Sequence, residues 1–167
     1  MKIGRIARDA VLTAVALAVF LIEMQIPALV PIPGVKLGLS NVVTLFAMFA
    51  IGPVDALLIL LVRILLGGIF SGQAISLLYS LAGGILCYSV TLLMRRVVTQ
   101  RQIWVCGVLG AVAHNVGQLA VAVAVTRTAA LIYYLPVLTV SALLTGLFTG
   151  LLAQFLNARL GHFLKKT

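Results

Sequence analysis

"GPVDALLILLVRILLGGIFSG", residues 52–72, decides the fold class. Gly52 and Pro53 make a tight turn at its start, "SGQ" makes another at its end, and Arg63 is the one charge between Asp55 and Ser71. The stretch is long enough to cross the roughly 30 Å hydrocarbon core of a bilayer, for which a helix needs about 20 apolar residues.

Working outward, breakers divide the chain into six apolar spans, near residues 7–29, 38–51, 54–71, 74–94, 103–126 and 130–157. The second is too short to cross upright unless it borrows length from the preceding "PALVPIPGVKLG" loop, with its three prolines and two glycines. Composition agrees. The 167 residues are 63% hydrophobic and 9% charged, with a mean hydropathy of +1.24. Soluble domains are closer to half apolar and a quarter charged. The expected fold is all-α: a single domain over residues 1–167, an integral membrane bundle of six transmembrane helices.

A net charge of +9 and a pI near 10.4 suggest nucleic acid in a soluble protein, so the positions of the charges decide their meaning. Lys2, Arg5 and Arg8 precede the first span; Arg95, Arg96 and Arg101 fill the polar loop after the fourth; Arg159, Lys165 and Lys166 follow the last. Six spans put these nine of the twelve basic residues on one side. By the positive-inside rule that side, with both termini, is the cytoplasm. The basic excess then reflects topology, with anionic lipid headgroups as its partner, and no aromatic-interleaved stripe indicates nucleic-acid binding. The first run, "AVLTAVALAVFLI", has no clean small-residue cleavage site after it and reads as a retained helix rather than a signal peptide.

Small residues supply the packing material. Ala7, Ala10, Ala14 and Ala18 line one side of the first span, either as a contact within the bundle or as a docking face for another subunit. Gly146 and Gly150 form a small-xxx-small pair in the sixth. Cys87 and Cys106 lack metal-ligand spacing and read as small apolar fillers.

Ionisable groups at membrane depth are costly and point to function. Arg63 lies near the centre of its span with no acid within one helical turn, so it needs either Glu23, the one acid at comparable depth, or an anionic ligand. In "GAVAHNVGQL", residues 110–119, His114, Asn115 and Gln118 stand three and four residues apart and are expected to form one polar patch walling a cavity. The loop before the second span reads either as a rigid connector or as a lid over an outward-facing cavity, the lid having Lys36 and Asn41 toward the ligand. Tyr79, Tyr133 and Tyr134 suit an aromatic belt or a ring-stacking platform. Catalysis has no visible basis: the chain lacks an aspartate-rich motif for magnesium diphosphate, a Walker loop, paired carboxylates and a Ser-His-Asp set, so no enzyme activity is expected.

"IPGVKLGLSNVVTLFAMF", "GPVDALLILLVRILLGGIFSG", "SLLYSLAGG", "GAVAHNVGQL" and "YYLPVL", in this order over most of residues 31–150, resemble the bacterial Gx transporter family, long labelled heptaprenyl diphosphate synthase component I. That family is similar to the S components of energy-coupling factor (ECF) transporters. The resemblance implies a six-helix substrate-binding subunit of the bacterial cytoplasmic membrane. It would dock through Ala10, Ala14 and Ala18 on a transmembrane coupling subunit driven by ATPases, with the Pro33–Asn41 loop as its lid. Some relatives are linked to flavin-based electron-transfer complexes, which implies a flavin nucleotide, FAD or FMN, as the transported ligand. Lys36 and Arg63 would then hold phosphate, His114, Asn115 and Gln118 the polar edge or ribose, and Tyr79 or Tyr133 the ring. The older label implies instead a non-catalytic membrane subunit of a prenyl diphosphate synthase that binds a diphosphate.

Overall fold

The computed structural model describes residues 3–26, 38–72 and 74–164. These form α1 (Ile3–Glu23), α2 (Asn41–Ala50), α3 (Pro53–Ser71), α4 (Ala74–Met94), α5 (Ile103–Thr126), a 3-10 turn (Ala129–Tyr134) and α6 (Leu135–Leu164). Six helices therefore stand where six spans were expected, and no strand occurs among the described residues. Four stretches are long and apolar enough to cross a membrane: α3, α4, α5 and the run Ala129–Leu164. The protein is a multi-pass membrane protein.

The other two helices differ from the expected spans for physical reasons. α1 has 21 residues, but Arg5, Arg8, Asp9 and Glu23 load its ends with charge. α2 has ten residues, or about 15 Å at 1.5 Å per residue, which is half the hydrocarbon core. It is apolar on every side because it is enclosed on every side: Val42 through Ala50 are all buried, against α1, α3, α4 and α6. α6 runs seven residues past the expected boundary at 157, because Asn157, Arg159 and His162 leave the apolar core without breaking the helix. Hydropathy marks where the membrane ends, not where the helix does.

One end of the bundle is tied by polar contacts. Arg5 and Arg8 both pair with Asp55 in the first turn of α3, the Arg8 contact being 2.8 Å. Arg8 also donates to the Leu164 carbonyl at 3.3 Å. The Tyr88 hydroxyl donates to the Pro53 carbonyl at 3.0 Å, and Asn157 donates to Gln100 in the Arg95–Arg101 loop. The start of α1, the α2–α3 turn, the Arg95–Arg101 loop and the end of α6 thus gather at one end, as the charge count requires.

The tightest seam joins α5 to α6. A Cβ on Gly146 would come within 2.7 Å of the Val108 backbone, one on Gly150 within 2.7 Å of the Trp104 backbone, and one on Gly107 would strike the Gly150 backbone. Only hydrogen on these three residues permits such approach, and close van der Waals contact drives association where both helix faces are apolar.

Candidate functional site

Three helices bring one polar residue each to the same depth. Counted from the tied end, Asn41 lies nine residues up α2, Arg63 ten up α3 and His114 eleven up α5. At 1.5 Å per residue these are rises of about 14–17 Å, close to the midplane of a 30 Å core. α2 begins there, so its amino-terminal turn opens at mid-membrane. A broken helix with its N-terminus at the midplane is a known way of presenting partial positive charge to an anion.

The three side chains form a chain of hydrogen bonds. Arg63 Nη2 donates to Asn41 Oδ1 at 3.2 Å, and Asn41 Nδ2 lies 3.1 Å from His114 Nδ1. The His114 ring also packs against Gly83 on α4, where a Cβ would come within 2.8 Å of Nδ1. Arg63 is only 2% exposed, its guanidinium stacks over the Phe20 ring at 5.6 Å, and its Nε has no partner among the described residues. A buried donor without a partner is unusual, since most buried polar groups are hydrogen-bonded.

Among the described residues no salt bridge joins Glu23 to Arg63. The Glu23 carboxylate accepts the backbone N–H groups of Gly38 and Ser40, the latter at 3.4 Å, and acts on Arg63 through its field. Gly38 has a φ of +78°, and a Cβ there would lie 2.9 Å from Asn41 Nδ2 and 3.0 Å from the His114 ring. The end of α1 away from the tied end therefore holds the chain from two directions, Phe20 against Arg63 and Glu23 against the turn that carries Asn41.

The expected His114–Asn115–Gln118 patch is divided. His114 and Gln118 are buried, and Gln118 is engaged in an interaction. Asn115 turns away: Nδ2 donates to the Leu138 carbonyl of α6 at 2.8 Å, and Oδ1 is buried without a partner among the described residues. Adjacent residues on a helix do not share a face. Neither tyrosine joins the chain of polar side chains. Tyr79 packs with Leu119, Ala122 and Leu138, and Tyr133 is 86% exposed on the 3-10 turn. Lys36, with Pro33 and Gly34, lies outside the described residues.

The alanine stripe resolves in favour of an outward face: Ala7, Ala10, Ala14 and Ala18 are exposed, whereas Ala16 enters the core. Sequence reasoning missed Phe20 and Gly38 as supports. It also missed three threonines, Thr44, Thr91 and Thr149, which line voids beside Asn41. Single threonines in apolar runs give no signal alone, although "GLSN" before a helix does mark a glycine-dependent turn.

Residues 12–156, and with them every member of the polar chain, match the family described as heptaprenyl diphosphate synthase component I. The chain belongs to that family. No curated protein and no solved structure matches it. The family description names a component of a synthase, and the residues here bear on what such a component could do. Among the described residues no cluster of three His, Cys, Asp or Glu side chains could hold a metal ion, and Asp9 and Asp55 are engaged by Arg8 and Arg5. What this family member does offer at mid-depth is a positive, donor-rich centre.

Proposed function

We propose that the chain is the ligand-binding membrane subunit of a transporter, S-component-like, non-catalytic, and specific for a small anionic molecule held at Arg63. The observation that carries this reading is Arg63 itself: buried at mid-membrane, hydrogen-bonded to a neutral amide, with Nε unpartnered among the described residues. A charge at that depth is expensive and is kept where it meets a substrate or a counter-charge. His114 and Gln118 supply further polar contacts, Asn41 is displaced from Arg63 when the anion arrives, and the Lys36 charge adds to the attraction.

The first ligand to test is a flavin nucleotide, FMN or FAD, whose phosphates suit the guanidinium and whose ring offers a polar edge. The setting is the bacterial cytoplasmic membrane, with both termini and the Arg95–Arg101 loop inside, where the basic residues favour them. Energy comes from partner subunits, either an ECF-type coupling subunit with its ATPases or a flavin-dependent electron-transfer complex. The exposed face of Ala10, Ala14 and Ala18 is the docking surface, since small residues permit close helix approach.

A second reading, supported by the family description, is a non-catalytic membrane subunit that holds a prenyl diphosphate for a synthase. One titration separates them. The detergent-purified protein is mixed with FMN or FAD and flavin fluorescence is followed, with inorganic pyrophosphate and farnesyl diphosphate as competitors. Saturable quenching, reversed by excess pyrophosphate, is the expected result. Uptake of farnesyl diphosphate without any flavin binding favours the second reading, and binding of none of these anions rejects both.

A further inference from the structure

The hydrogen bonds from Arg63 through Asn41 to His114 have a direction, and the donor chemistry of the three side chains sets it. A guanidinium has donors and no acceptor, so the Asn41 atom 3.2 Å from Arg63 Nη2 is the carbonyl oxygen. The Asn41 atom 3.1 Å from His114 Nδ1 is then the amide nitrogen, which only donates. His114 Nδ1 therefore accepts, and the ring is neutral with its proton on Nε2. Through one carboxamide, Arg63 on α3 dictates the protonation state of a histidine on α5.

His114 is 3% exposed, so a second positive charge there would share a buried site with Arg63. Among the described residues the other charged or titratable groups packed around it are few. α1 brings Glu23, whose carboxylate accepts the Gly38 and Ser40 N–H groups of the turn that abuts the His114 ring. α4 brings Tyr79 and Cys87, one turn to either side of Gly83, and α5 itself adds Cys106, two turns below. α2 brings Asn41, which does not titrate, and residues 135–158 of α6 carry no ionisable side chain. Of all these groups, His114 is the one whose ordinary titration range lies between pH 5 and 8.

We propose that anion binding at Arg63 is coupled to the uptake of one proton at His114, with the Asn41 carboxamide as the coupling element. This rests on the anion-binding reading given above. An anion that takes the Arg63 donors leaves Asn41 Oδ1 without its partner. A half-turn of the carboxamide about its Cβ–Cγ bond exchanges its two atoms without moving the α2 backbone. Nδ2 then faces the anion and donates to it, and Oδ1 stands where Nδ2 stood, at hydrogen-bond distance from His114 Nδ1. Two acceptors now face each other, so Nδ1 takes a proton from the aqueous medium and donates it to Oδ1. Moving the ring's own proton from Nε2 would satisfy Nδ1 alone, but the negative charge of the anion favours the doubly protonated ring. The complex holds one proton more than the free chain, so affinity rises as pH falls, by up to about tenfold per pH unit.

FAD and sulfate are suitable probes, because neither changes its own charge in this range; the FAD diphosphate is esterified at both ends. Calorimetric titration of the detergent-purified protein, repeated in buffers of differing ionisation enthalpy, counts the protons taken up with each FAD. At least about half a proton per FAD is expected where the pH profile is steepest, with affinity about tenfold or more higher at pH 5.5 than at pH 8. His114→Gln keeps a hydrogen-bonding side chain that cannot titrate and should flatten the profile. Asn41→Leu, close in shape but unable to donate or accept, should cut the proton count to less than half. No proton uptake with a flat affinity profile in the unaltered chain overturns the coupling and leaves the anion site standing. A profile that persists in His114→Gln also overturns it, since the proton then goes elsewhere, as does an undiminished count in Asn41→Leu. If either variant fails to elute as the native form, the proton count of the unaltered chain still decides. If neither FAD nor sulfate binds at any pH, the anion-binding reading falls and the coupling falls with it.

Discussion

Replacing Arg63 by methionine separates a structural arginine from one held for a ligand. The substitution removes the hydrogen bond to Asn41 and the stacking on Phe20. A charge-assisted hydrogen bond contributes about 1.5–3 kcal/mol and a cation–π contact about 0.5–2 kcal/mol, so the loss is about 2–5 kcal/mol. Against this, an arginine at the centre of a membrane helix costs about 2.5–3.5 kcal/mol to insert, a cost methionine avoids. The two nearly cancel, and stability should change by no more than about 2.5 kcal/mol in either direction. Anion binding has no such compensation. Each charge-assisted bond lost from the ligand is worth about tenfold or more in affinity, so two cost at least about a hundredfold. Equilibrium unfolding of the purified protein in mixed micelles, beside FMN fluorescence quenching, measures both quantities. Undiminished FMN affinity in Arg63→Met refutes the assignment. A loss of stability above about 4 kcal/mol, the size expected when a satisfied buried pair is broken, shows instead that Arg63 serves the fold.

Three further outcomes follow from the same geometry. Gly38→Ala puts a side chain on a backbone with φ +78° and drives a Cβ to 2.9 Å from Asn41 Nδ2, so anion affinity should fall by about tenfold, equivalent to about 1.4 kcal/mol, in the same quenching titration. Gly150→Leu forces α6 off the Trp104 backbone and should cost about 1–3 kcal/mol or more by overpacking, whereas Ala14→Leu on the exposed face should stay within about 0.5 kcal/mol in micelle unfolding; equal effects would contradict the assigned faces. Asp55→Asn should lower the thermal midpoint more than Arg5→Gln does, because the Arg8 side chain is 11% exposed while that of Arg5 is 39% exposed and its pair is screened by solvent; the reverse order would place the inner clamp elsewhere.

The burial of the polar groups was legible in the sequence, their partners only in part. Arg63 stands out because a charge in "LLILLVRILL" has no local remedy, and it is buried. His114 and Gln118 stand out for the same reason and are buried as well. Spacing of three from Asn115 to Gln118 suggests a shared face, but adjacent residues diverge on a helix, and only the position of the Leu138 carbonyl reveals which way Asn115 turns. Tyr79 and Tyr133 show the opposite limit: aromatic character is equally useful in a core and on a surface, so type alone assigns neither.

By itself the sequence determined the class, the six helices and the gathering of basic segments at one end, since these depend on local hydropathy, helix breakers and charge counted along the chain. It also determined that polar groups at mid-depth would need partners, because the bilayer supplies none. Only the tertiary structure decided which partners they take. Asn41, Arg63 and His114 come from three helices, and nothing in their spacing relates one to another; their meeting depends on how far each helix rises from the tied end. The same is true of Phe20, of Glu23 on the Gly38–Ser40 turn, and of the threonine-lined voids. Hydropathy is a property of each residue and its neighbours, whereas a site between helices is a property of their packing.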